Sequence, residues 1–345
     1  MITSTFARLA CVLTVIAVFT ATCSEPVAAN EPSLLARCWP AGATAAMPEE
    51  RRPVRGAPGH AVAIPNVVVA AGNPIPASER GAIRRVDLPK GMKLIALTLD
   101  LCEQPGEIAG YDGPIFDYLR RNNIKATVFA GGKWLLTHGE HAEQLIADPL
   151  MEIGSHGWAH RNVRGLDARA LQTEIHGPLA SYTTRREALM QRQCVKDAPH
   201  LAAARPARMS LYRFPFGACN TAALDALAAQ GMRAIQWDVS TGDSTPTETA
   251  EKIAATILQG TRPGSIILAH ANGRGHNTAA ALAIAIPKLK EKGFQFVTVG
   301  ELLAAGKPVI TATCYDSRPG DTDRYDAFFL RPKATLKSTP SEAKP

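Results

Sequence analysis

The sequence has no zinc-finger spacing, no arginine-rich arm and no basic run interleaved with aromatics, which sets nucleic acid aside as a partner. Beyond the first thirty residues no stretch is long and apolar enough to cross a bilayer. No glycine-rich phosphate turn follows the first expected strand of the regular part, so a dinucleotide-binding fold loses ground. The cysteines lack the spacing of a structural zinc knuckle. Charged residues are few, 20%, and their net sum of +7 is unchanged by removing residues 1–29, which hold one Arg and one Glu. That excess suits anionic surfaces such as cell-envelope polymers, although a merely solvated basic face is the plainer reading. What the 345 residues do contain is 46% apolar side chains, enough for a full core.

The amino terminus reads as an export signal over residues 1–29. Arg8 supplies its positive end, Leu9–Phe19 its apolar run, and Val27-Ala28-Ala29 a small-residue cleavage site. A retained anchor is the alternative. Export implies the periplasm, cell envelope or extracellular space, where disulfides form. Cys38, Cys102, Cys194, Cys219 and Cys314 remain after cleavage, and a pair drawn from Cys102, Cys194 and Cys219 is expected.

Residues 30–86 form a Pro/Ala-rich extension, with one strand expected at Ala61–Ala70. Regular structure is expected from Lys93. Lys93–Leu99 is a near-continuous apolar run ending at Asp100, the pattern of a strand buried on both faces. Further strands end at Gly131, His156, Arg213, Asp238 and His270, with helices between them. The long helical stretch Asp167–Gln191 leaves a break at Gly177-Pro178 open, and residues 192–208 look irregular. Strand–helix alternation over about seven units predicts an α/β fold: a distorted parallel (β/α) barrel in a single catalytic domain, residues 87–310, with N- and C-terminal extensions. Residues 311–345 read as a polar tail, loosely held after Asp316.

In such a barrel the chemistry gathers at the C-terminal ends of the strands. Asp100, His156, Arg213, Asp238 and His270 all fall there. His156 and His160, four apart, can hold a divalent metal of zinc type and leave a place for water. Asp100 suits a general base, oriented and kept ionised by Arg213, and His270 suits the acid that protonates a leaving atom. Each has a bland alternative: a capping Asp, a surface Arg, a satisfied core His, and a Trp237 that is core rather than sugar platform. The conjunction points to metal-assisted hydrolysis of an amide or ester.

Five ordered segments carry a family resemblance: Thr98-Leu99-Asp100, Ser155-His156-Gly157-Trp158-Ala159-His160, Arg213-Phe214-Pro215-Phe216-Gly217, Trp237-Asp238 through Asp243, and Ile267-Leu268-Ala269-His270. Together they resemble the polysaccharide deacetylases, carbohydrate esterase family four, over roughly 93–306. The resemblance implies a hydrolase of carbon–nitrogen bonds other than peptide bonds, of the chitooligosaccharide-deacetylase type. Its substrate would be an acetylated glycan, peptidoglycan or chitin-like, with no protein partner. Asp100 then matches the base, His156 and His160 the metal histidines, Arg213 the residue orienting the base, and His270 the acid. Phe216 matches a residue whose backbone N–H holds the oxyanion, and Leu268 one that lines an acetyl-methyl pocket. Two positions depart. The family's aspartate after the base, a metal ligand, is Leu101 here, leaving Glu103, a shared Asp100 or water to complete the site. The acid that tunes the catalytic histidine falls at Ser240, leaving Asp238 or Asp243. Leu101 also motivates an alternative: a non-catalytic glycan-binding protein on the same barrel.

Overall fold

The computed structural model describes residues 31–40, 42–45, 47–56 and 62–329. The expected signal segment and residues 330–345 lie outside them. Among the described residues no helix is long and apolar enough to cross a membrane.

Eight strands form a curled parallel sheet: β1 (Ala82–Asp87), β2 (Leu94–Leu101), β3 (Ala126–Ala130), β4 (Met151–Ser155), β5 (Leu211–Tyr212), β6 (Arg233–Ile235), β7 (Val239–Ser240) and β8 (Ile266–His270). The spatial order is β1-β6-β5-β4-β3-β2-β8-β7. A short β9 (Gln295–Phe296) pairs with the start of β2, and β10 (Lys307–Thr311) runs antiparallel beside β1. Residues 236–238 are all that joins β6, near one margin, to β7 at the other, so the two margins must meet. Gln236 N–H donates to Ile83 O at 2.7 Å, Asp238 N–H to Ile266 O at 3.2 Å, and Val86 N–H to Gly264 O at 2.9 Å, lacing that seam.

Side chains alternate between two covered faces, so these strands are buried nearly throughout. Leu97, Leu99 and Leu101 pack outward with Ile115, Phe116 and Leu119 of the helix Gly113–Arg121. Ala96 points inward with Phe129, Leu211, Ile235 and Leu268. This two-sided covering explains the unbroken apolar runs, and it sends Thr98 and Asp100 into the barrel.

Several boundaries differ from expectation. The sheet begins at Ala82, not Lys93, and 62–70 runs without a strand. The helix Ala168–Gln191 continues through Pro178 as one element. The stretch after it contains two short helices, Gln193–Lys196 and Pro199–Ala203. The expected disulfide among Cys102, Cys194 and Cys219 is corrected: the bonds are Cys38–Cys194 and Cys219–Cys314, with Cys102 unpaired and buried. The partners stand 156 and 95 residues apart, a distance no local pattern reports. The second bond binds residues beyond β10 to the loop after β5, so the described part of the expected tail, 311–329, is held against the barrel. There Asp316 accepts a hydrogen bond from Trp237 Nε1 at 2.9 Å, and Tyr325 packs on Phe216 at 5.3 Å between ring centroids.

Candidate active site

The register puts the chemistry at one end. Asp100 lies directly opposite His270 on β2 and β8. Ser155, Tyr212 and Ala234 share a row on β4, β5 and β6. The next residues, His156 and Arg213, therefore emerge together at the sheet's rim. His156 and Asp100 floor a cavity of about 650 Å³ whose walls include Phe216, Trp237, Leu268, Arg324 and Tyr325, with Arg213 buried beneath it.

Arg213 is fully buried, with Nη1 2.8 Å from Asp100 Oδ1 and 2.8 Å from Thr98 Oγ1. Its guanidinium lies 4.1 Å over the Phe129 ring and reaches the carbonyl of Gln236 at 3.3 Å. Burial lowers its pKa, opposed by Asp100. The planar fork thus fixes one carboxylate oxygen of Asp100 and leaves the other facing the cavity.

His270 Nδ1 lies 2.8 Å from Asp243 Oδ1, and its backbone N–H donates to Asp243 Oδ2 at 2.8 Å. Thr278 Oγ1 donates to the same Oδ2 at 2.7 Å. Burial works to strip the ring's proton, but the Asp243 carboxylate outweighs it and the His270 pKa is raised. The same pairing overcomes burial at Asp243, whose pKa is lowered. Asp238 is corrected as a candidate. Its carboxylate takes Ser265 Oγ at 3.0 Å and the Ile266 N–H at 2.9 Å, stitching the seam to the base of β8.

His156 Nδ1 is 2.9 Å from the Arg213 carbonyl, which can only accept, so Nδ1 carries the proton and Nε2 presents its lone pair. That lone pair faces Asp100 Oδ2 at 3.4 Å. Burial lowers the His156 pKa, opposed by Asp100. Burial and His156 push the His160 pKa well below the ordinary imidazole value, and its Nδ1 is buried with no hydrogen-bond partner. Ligand atoms of His156, His160 and Cys102 lie within 4.8 Å of one another. These residues fit a divalent cation. Glu103 is not in that group. Its carboxylate accepts from Ala109 N–H at 3.2 Å and Thr137 Oγ1 at 3.0 Å, so the expectation that it completes the site is corrected.

The loop between the histidines is shaped from below. Gly157 has φ +77°, and a Cβ there would lie 2.8 Å from Glu174 Oε2. Glu174 Oε2 instead accepts the N–H groups of Trp158 (2.9 Å) and Ala159 (3.1 Å), and His160 is held at φ 52°. Phe216 also sits at positive φ, 61°, with its ring edge-on to His160 at 4.5 Å. Sequence reasoning missed Glu174, whose signal is an acid on the buried face of a helix beside Leu171 and Ile175. It also missed Cys102, counted toward a disulfide, and the tail residues Asp316, Arg324 and Tyr325, hidden by polar composition.

Comparison with known proteins agrees with this fold. Residues 87–235 match the polysaccharide deacetylase family model. The chain is 28% identical over 243 residues to the peptidoglycan-N-acetylglucosamine deacetylase PgdA of Listeria monocytogenes, covering 69% of this chain and 45% of that one. It thus spans about half the length of that curated relative. The crystal structure of the Bc1960 peptidoglycan N-acetylglucosamine deacetylase in complex with 4-naphthalen-1-yl-N-oxidanyl-benzamide superposes with a TM-score of 0.53 at 25% identity, over 67% of this chain and 96% of that one. BA3943, a CE4 family pseudoenzyme from Bacillus anthracis, superposes at 0.52 with 22% identity, over 66% and 70%, a likeness of fold alone. Motif order, the family model over residues 87–235 and the fold all liken the barrel of this chain to the polysaccharide deacetylases.

Proposed function

We propose that this protein is an exported, metal-dependent hydrolase that removes N-acetyl groups from a glycan, peptidoglycan or a chitin-like polymer, with the barrel as its catalytic domain. The observation that carries the reading is the facing pair Asp100 and His270, in register on adjacent strands with opposite partners, Arg213 and Asp243. A divalent cation held by His156 and His160 would supply Lewis acidity, making water easier to deprotonate and the acetyl carbonyl easier to attack. Asp100 Oδ2 takes the proton from attacking water while Arg213 holds Oδ1. The backbone N–H of Phe216 supports the developing oxyanion. His270, kept protonated by Asp243, gives its proton from Nε2 to the departing sugar nitrogen. Leu268 lines the methyl pocket, and Trp237, with Nε1 tied to Asp316, walls the sugar.

Two disulfides among the described cysteines support an oxidising compartment, in keeping with export. A second reading, a glycan-binding barrel without turnover, is motivated by Leu101 in place of a ligating aspartate. Acetate release from acetylated chito-oligomers and peptidoglycan, with and without chelator, separates the two. Chelator-sensitive release supports the enzyme. A folded protein that binds these glycans and releases no acetate supports the second reading.

A further inference from the structure

The deacetylation scheme leaves one group on the cavity floor without a task, the Cys102 thiol. We infer that Cys102 Sγ is the third protein ligand of the metal held by His156 and His160, giving a sulfur–nitrogen–nitrogen site that prefers zinc to harder cations. The inference rests on the deacetylase reading for where the metal sits, and adds the donor set.

Strand geometry explains why the ligand moves one residue along. On β2 the odd positions Leu97, Leu99 and Leu101 all pack into the outer core, while Thr98 and Asp100 face the barrel. Leu101 is wholly buried on the wrong side to ligate anything. Period two returns the next side chain, Cys102, to the face of Asp100. There its sulfur lies within 4.8 Å of ligand nitrogens of both histidines.

Two further features set Cys102 apart from the other cysteines. Asn272 Nδ2 donates to Cys102 O at 2.9 Å and to Sγ at 3.1 Å, a contact that fixes the side chain. The other four cysteines of the described residues are all consumed in disulfides, whereas Cys102 is sealed away from them. Cation binding would displace the thiol proton to solvent, leaving thiolate, two neutral imidazoles and an open position, the donor count of a catalytic zinc site. Thiolate disfavours magnesium and calcium, which take oxygen ligands.

The full chain loaded with zinc alone is the test. X-ray absorption at the zinc edge is expected to show one sulfur at about 2.3 Å. Cobalt(II) loading is expected to give a sulfur-to-metal charge-transfer band that vanishes in Cys102→Ser and in Cys102→Asp. Cys102→Ser should weaken zinc binding by more than the roughly 10–100-fold cost of losing an outer partner, with Cys102→Asp recovering much of it. Only nitrogen and oxygen around zinc in the wild type, or unaltered affinity in Cys102→Ser, overturns the inference, and the wild-type spectrum decides even if a variant misfolds. Chelator-sensitive acetate release with a sulfur-free site would sink the donor assignment and spare the deacetylase. A sulfur-bound metal without acetate release from any glycan would do the reverse.

Discussion

The two sides of the cavity floor are built on opposite rules. On one side every charge is answered inside the protein: Asp100 by Arg213, His270 by Asp243, and Asp243 further by Thr278 and a backbone N–H. On the other, electron pairs converge, with His156 Nε2 toward Asp100 Oδ2 and the Cys102 and His160 donors close by. The first arrangement is self-sufficient and sets proton affinities. On the proposed reading the second is arranged around a cation, and folding alone only brings its donors together. Acid–base and metal chemistry would then fall to separate residues that meet at one atom, Asp100 Oδ2.

Substitutions should separate the sides. Asp100→Asn removes the atom they share and has the largest expected effect, a loss of roughly 10²–10⁴-fold in acetate-release kcat with metal still bound. Comparable loss of bound metal, measured by elemental analysis, would mean the sides are not separable. Arg213→Met acts on the self-sufficient side. It leaves a buried carboxylate unanswered and should cost about 3–5 kcal/mol of stability in denaturant unfolding. Glu174→Ala acts on the other side alone, by releasing the Trp158–Ala159 backbone. Zinc affinity should fall about 10–100-fold by competition titration, with little change in the pH profile once metal is saturating.

The mildest probe is Asp243→Asn. With Asp243 present the His270 pKa is raised, so the acid keeps its proton until pH climbs through that raised value. The pair's contribution to stability follows the same sign: complete below the ordinary imidazole value of roughly 6.5, and lost as pH rises through the raised one. The alkaline limb of kcat should therefore move to lower pH in Asp243→Asn, while metal content stays unchanged.

Much of this was legible beforehand, for a physical reason. Strands covered on both faces must be apolar nearly throughout, so a charged residue closing such a run stands out, as Asp100, His156, Arg213 and His270 do. Asp238 closes its run in the same way yet serves the seam, because only three residues link β6 to β7 and one of them must tie the edges. Asp243, five residues on, reaches His270 through a loop whose path no periodicity encodes. Glu103 and Cys102 are neighbours, and the side of the strand on which each emerges decides between them. That depends on where β2 stops, and strand ends are poorly marked in sequence. The hold on residues 311–329 was illegible because polar composition reports solvent contact and says nothing of a covalent tether.

That tether has a consequence for how the molecule is completed. The residues assigned to the proposed reaction lie at or before Thr278, whereas Asp316, Arg324 and Tyr325 arrive with the last stretch, which Cys314, Arg84 and Arg164 together hold in place. On that reading turnover and choosiness are written in different lengths of polypeptide, and loosening the last stretch should widen the doorway while leaving the machinery behind it intact.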